Sequence, residues 1–242
     1  MITKQLDIAT AEGSMPTWIY HPEHDGPSPV VLYLMDAPSI RPALRAMAER
    51  LASAGYYVML PYLYYRGGPY REFGATDEDM HARRDLMDQI NPTNILSDVA
   101  AMLSIADNDQ DALAGPAGAV GFCMSGGLAI SAARAFPDRV KAVASIHGAW
   151  LVRDGDDSPH RDLDRVTAEI YFGWAANDPT APGEDRQQME AALQAAEVSY
   201  NLDFFTEAVH GYAPEGERYD HYASEVHWER VHSLFRRNLS RL

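Results

Sequence analysis

The sequence predicts an α/β fold: a mostly parallel central sheet with helices on both faces and an N-terminal antiparallel hairpin. Three observations carry the prediction. Apolar strand runs alternate with helical stretches along nearly the whole length, which is the pattern of a layered α/β protein with crossover helices. Gly, Pro and Asp turns bound those runs. One run, Val30-Val31-Leu32-Tyr33-Leu34-Met35, is apolar without alternation, as suits a strand buried on both faces. With 242 residues, 46% of them apolar, the chain can fill one large core, so a single domain over residues 1–242 is expected.

Taken in order, residues 4–9 and 15–21 read as two strands around the turn Glu12-Gly13-Ser14. A loop over 23–29 leads to the strand at 30–35, which stops at Asp36. Over 41–54, Leu44, Met47 and Leu51 recur at helical spacing, and Gly55 suits a left-handed helix end. Residues 56–60 form a short strand closed by Pro61. The stretch 62–79 is rich in aromatics, Gly and Arg. It is too irregular for a helix and long for a connector, so it reads as a lid or pocket wall. Helices follow at 81–89 and 92–105, the second with Pro92 in its first turn. Strands at 119–122, 142–146, 168–172 and 200–205 then alternate with helices at 125–135, 184–196 and 222–238.

The net charge of −15 excludes nucleic acid and anionic membranes as partners, because phosphate binding needs a basic surface. An anionic small substrate requires arginines to shield it locally. No run of about 18 uncharged apolar residues occurs, and residues 1–7 lack a hydrophobic leader, so a cytoplasmic protein is expected. The oligomeric state is not legible. The chain has one cysteine, which excludes an intramolecular disulfide and a cysteine-based zinc cluster and leaves packing or reactivity to explain it.

Gly121-Phe122-Cys123-Met124-Ser125-Gly126-Gly127 runs from a strand into a helix. A nucleophile on a strained strand-to-helix turn needs small residues two positions before and after it, and Gly121 and Ser125 meet that need around Cys123. At such a turn the thiol faces the positive end of a helix, which favours thiolate, and the Met124 N–H offers an oxyanion donor. A register with Ser125 as nucleophile leaves Gly121 without a role. A phosphate loop would need G-x-G-x-x-G or a Lys-Ser/Thr pair, and neither is present.

In this architecture an acid follows the nucleophile and a histidine comes last, on loops after later strands. Asp178 follows the strand at 168–172 and His210 follows the strand at 200–205. His210 would take the thiol proton and Asp178 would orient its ring. His147 closes the strand at 142–146 and reads as a pocket wall or substrate contact. His221, His227 and His232 read as surface residues near the last helix; no His-Glu-x-x-His pattern occurs, so no metal is expected. No cofactor is expected either.

With this elbow, Asp178 and His210-Gly211-Tyr212 in this order, the chain resembles the dienelactone hydrolase family of α/β-hydrolases over nearly its whole length. The resemblance implies opening of an enol-lactone, or cleavage of a small ester, through a cysteinyl acyl-enzyme. It implies the Ala37 N–H as a second oxyanion donor. Where the family carries a glutamate that hydrogen-bonds the resting thiol, this chain has Asp36, and where it usually has glycine, this chain has Ser125. Pro61-Tyr62-Leu63-Tyr64-Tyr65-Arg66 is similar to the family's Pro-Asp-Leu-Tyr segment, which puts Tyr64 and Arg66 among the implied substrate contacts. Arg66, Arg83 and Arg84 are the arginines available to grip a substrate carboxylate through two hydrogen bonds. Two other classes share the elbow. Class I glutamine amidotransferases place a cysteine on a Gly-x-Cys-x-Gly turn, although the separate loop at Asp178 speaks against them. The third class is a non-catalytic binding protein or thiol sensor on the same fold.

Overall fold

Val30 to Leu34 are at most 2% exposed, as an apolar run with no polar face requires. In the computed structural model, residues 1–23, 26–74 and 76–239 are described. Part of the loop expected at 23–29 (His24 and Asp25) and one position of the 62–79 stretch (Ala75) lie outside the described residues. The chain divides into two compact units, Met1–Ala114 and Gly115–Leu242.

In the first unit, β1 (Ile2–Thr10) and β2 (Gly13–His21) form the expected hairpin, antiparallel from Ile2 opposite His21 to Thr10 opposite Gly13. Gly13 has φ +143°, which a residue with a side chain rarely adopts. β3 (Ser28–Leu34) is followed by α1 (Pro42–Ser53) and β4 (Tyr57–Pro61). β4 pairs parallel with β3 and antiparallel with β2, giving the order β1-β2-β4-β3. α2 (Asp77–Met87) and α3 (Pro92–Asp107) complete the unit. α3 starts with a reciprocal cap between Asn91 and Asn94, which satisfies two otherwise orphaned N–H groups.

α2 begins four residues before the expected position. Thr76 accepts a hydrogen bond from the Asp79 N–H, and Asp77, Glu78 and Asp79 occupy the first turn, where carboxylates complement the helix dipole. The first part of the 62–79 stretch, expected as a lid or pocket wall, is packed inward. Tyr62, Leu63, Tyr64 and Tyr65 are buried, and the Tyr62 ring meets Tyr64 at 6.0 Å and Tyr70 at 5.3 Å, both edge-on. This part of the stretch is core of the first unit.

β5 (Ala112–Phe122) lies in the second unit from Gly115 onward, and α4 (Gly126–Ala135), β6 (Val140–Ile146), β7 (Glu169–Asn177), α5 (Gly183–Ala195), β8 (Tyr200–Val209) and α6 (His221–Leu239) follow in order. The strands β5-β6-β7-β8 are adjacent in that order and all parallel. β5 starts earlier than the expected position 119, and runs through Gly115, whose φ of +126° residues with a side chain rarely adopt. His227, expected at the surface, is fully buried. It lies on the inward face of α6, its ring 5.8 Å from Tyr212 and 5.0 Å from Trp228. Among the described residues, no helix is long and apolar enough to cross a membrane.

Candidate active site

β5 ends at Phe122, and the chain turns through a single 3-10 turn, Cys123–Ser125, into α4. Cys123 has φ +54°, a left-handed conformation that costs a residue with a side chain about 1–3 kcal/mol. A Cβ on Gly121 would lie 2.0 Å from the Ser125 carbonyl oxygen, so only glycine fits there. Ser125 itself has φ −89°, ordinary space in which a side chain is tolerated; its departure from the family's glycine is therefore accommodated. The strain falls on Cys123 and the steric demand on Gly121, which is the register centred on the thiol.

His210, in the turn after β8, brings Nε2 to 3.0 Å from Cys123 Sγ. Its Nδ1 lies 2.6 Å from Asp178 Oδ2. With Nδ1–H donated to Asp178, Nε2 faces the thiol, as acceptor while the ring is neutral and as donor once it carries the proton. Asp178 Oδ1 accepts from the Thr180 N–H at 2.8 Å and from the Thr180 hydroxyl at 2.6 Å. Gly211, at φ +86°, lets the chain turn straight after His210.

Burial disfavours the Asp178 carboxylate, but hydrogen bonds from His210 and Thr180 outweigh it and hold the group below the usual range. Burial likewise disfavours a charged His210; the hydrogen bonds with Asp178 and Cys123 prevail and push it up to about 10. An imidazole so placed can hold a proton delivered by the thiol. Cavities of about 230 and 380 Å³ lie along β8 and α6, and none of Cys123, Asp178 and His210 lines them.

The other expected site residues have the following surroundings. Met124 follows Cys123 in the 3-10 turn and is buried. His147, expected as a pocket wall or substrate contact, is 1% exposed, and its ring lies 5.2 Å from that of His210. Asp36 is buried and gripped through two hydrogen bonds by Arg41, at 2.6 and 2.8 Å. The Tyr64 hydroxyl donates to the Ala37 carbonyl at 2.9 Å. Arg66 departs from the expected substrate contact: Nη1 and Nη2 each lie 2.8 Å from the Asp98 carboxylate, and Nε lies 2.6 Å from Glu12. A guanidinium so committed is a structural clamp. Arg83 and Arg84 lie on α2, Arg83 half-buried and Arg84 exposed. Sequence reasoning missed Thr180 and Arg41. Thr180 had a signal, since the second residue after an aspartate commonly returns its N–H to that carboxylate; Arg41 had none.

The sequence model of the family described as dienelactone hydrolase matches residues 15–239. A protein of Synechocystis sp., provisionally named a carboxymethylenebutenolidase, is 29% identical over 97% of this chain and 99% of its own length. The carboxymethylenebutenolidase of Rhodococcus opacus is 25% identical over 94% of this chain and 89% of its own. Among solved structures, a provisionally named dienelactone hydrolase of Klebsiella pneumoniae superposes with a TM-score of 0.86 at 23% identity, covering 97% of this chain and 98% of that one. The likeness shows the α/β-hydrolase fold expected from the sequence.

Proposed function

The chain belongs to the dienelactone hydrolase family, and from that premise we propose that it cleaves a small ester or lactone through a Cys123 acyl-enzyme. The observation that carries the reading is the continuous path from Cys123 Sγ to His210 Nε2 at 3.0 Å and from His210 Nδ1 to Asp178 at 2.6 Å. The base is then within direct hydrogen-bond reach of both the nucleophile and the orienting acid.

His210 Nε2 takes the thiol proton, and Cys123 Sγ attacks the carbonyl carbon. The Met124 N–H donates to the resulting oxyanion; the Ala37 N–H is assigned a matching part by the family resemblance. The intermediate collapses by breaking the carbon–oxygen bond, and His210 returns its proton to the leaving alkoxide. In a lactone that alkoxide stays tethered to the acyl group. His210 then takes a proton from water, the hydroxide attacks the thioester, and the acid leaves as the thiol re-forms. Asp178 stabilises the imidazolium at each stage.

The relatives' names suggest an enol-lactone with a carboxylate arm. With Arg66 committed to Asp98, Arg83 and Arg84 are the remaining candidates to receive it. The charge of −15 supports a small-molecule substrate over nucleic acid, and a cytoplasmic location completes the reading. A panel of activated esters and lactones, with intact-mass detection of the acyl-enzyme, tests it. Cys123→Ala is expected to lose at least about a thousandfold in turnover, and Ser125→Ala to retain it. Full turnover in Cys123→Ala, or glutaminase activity without esterase activity, overturns the proposal.

A further inference from the structure

We propose that the turn His147-Gly148-Ala149-Trp150 holds the three reacting loops in register, with His147 as the positioning residue for the His210 imidazole. The proposal rests on the reading of Cys123, His210 and Asp178 as a triad. It adds a residue to the reaction's positioning machinery from an element that carries none of the three.

One four-residue turn reaches all three loops. The Ala149 N–H donates to the Cys123 carbonyl at 2.9 Å, and the Trp150 N–H donates to the carbonyl of Thr180 at 2.9 Å, on the loop that caps Asp178. The His147 ring meets the His210 ring edge-on, with centroids 5.2 Å apart and planes at 72°, within the range preferred by flat unsaturated rings. The turn is anchored at its start by the His147 N–H, which donates to the Gly173 carbonyl of β7 at 2.8 Å.

The backbone is also unusual. His147 and Trp150 both have positive φ, +37° and +52°. A Cβ on Gly148 would lie 2.4 Å from Ser145 Oγ, and one on Gly126 would lie 2.7 Å from the Gly148 Cα. The turn is thus pressed against the start of α4, directly below the elbow. Left-handed conformations of residues with side chains persist only where their surroundings over-determine them, and here the three loop contacts do so.

Asp178 at 2.6 Å and the Thr180 hydroxyl at 3.2 Å meet Nδ1 of His210, and Cys123 meets Nε2 at 3.0 Å, but contacts at the two nitrogens leave the ring free to tilt about the line that joins them. His147 packs against the ring itself and supplies the constraint on that tilt. His147 is itself braced by Tyr212 at 5.3 Å and Phe122 at 6.0 Å. A reacting group displaced by about 1 Å can lose on the order of a hundredfold in rate.

The test compares His147→Asn, His147→Leu and His147→Phe. Asn tolerates positive φ and removes the ring, Leu fills the volume without a flat ring, and Phe keeps one. Turnover on the best ester is measured together with the pH profile of Cys123 alkylation by iodoacetamide. Asn and Leu are expected to lower kcat about tenfold to a hundredfold, to change KM little and to displace the alkylation profile, while Phe rescues both readouts. Asn or Leu variants with unchanged kcat and profile overturn the positioning role, as does Phe behaving like Leu. If neither Asn nor Leu folds while Phe does, the ring is a core requirement and the proposal also fails. If wild type shows no Cys123-dependent turnover, it is the triad reading that fails, which the Cys123→Ala control separates from the other outcomes.

Discussion

Asp98 in the first unit and Asp178 in the second are both buried aspartates held by several short hydrogen bonds. Asp98 takes two from Arg66 at 2.8 Å and one from the Tyr65 hydroxyl at 2.8 Å. Asp178 takes one from His210 at 2.6 Å and two from Thr180. Burial and hydrogen-bond number do not separate the two. Their partners do: arginine never releases its proton in a protein, whereas an imidazole can take one up and give it back. The Asp98 pair is a fixed clamp, and the Asp178 pair can pass charge toward a thiol. Where two buried carboxylates look alike, the proton mobility of the partner tells structure from chemistry.

Substitution by asparagine separates the two most sharply. Asp178→Asn is expected to lower kcat about a thousandfold to ten-thousandfold, with the protein still folded by circular dichroism; retention of more than a tenth of wild-type kcat would erase the distinction. Asp98→Asn should act in the opposite sense. Removing one partner of a buried pair costs about 3–5 kcal/mol of stability, read from denaturant unfolding, while kcat per folded molecule stays within a few-fold. A large drop in kcat without a loss of stability would move Asp98 into the chemistry.

The smallest effect concerns pH. His210 is raised above the ordinary histidine value to about 10, so the stability it contributes is complete below pH about 6.5 and is lost as pH rises toward about 10. Asp178 is lowered, so its contribution is lost only in acid, as pH falls through its folded value. Stability measured by melting between about pH 6.5 and about pH 10 should therefore fall more in wild type than in His210→Ala, by at least about 1 kcal/mol. Parallel curves would show that the His210 proton is not held by the fold.

Much of this was legible from residue order. The unbroken apolar run of β3, the hairpin turn at Gly13 and the alternation from β5 onward each follow from local chemistry, and so did the elbow, because a strained turn demands Gly121 whatever surrounds it. Illegible were features set by which segments meet. Nothing in the sequence around Arg66 says that it will spend its guanidinium on Asp98, 32 residues away, instead of on a substrate. His227 reads as a surface histidine on α6, and its burial depends on which face of that helix packs inward.

The sequence by itself determined the fold class and singled out Cys123 as the candidate nucleophile, with its candidate partners in order. These depend on periodicity and on steric rules that act within a few residues. Only the tertiary structure decided that His210 reaches Cys123 at 3.0 Å, that Asp36 is bound by Arg41 and that His147 packs on the imidazole. Such contacts depend on distances between loops that the packing of strands and helices fixes, and a side chain's role changes with the partner it is given. The two buried aspartates are the case in point: a short hydrogen bond from an arginine makes one a clamp, and one from a histidine makes the other part of a proton path.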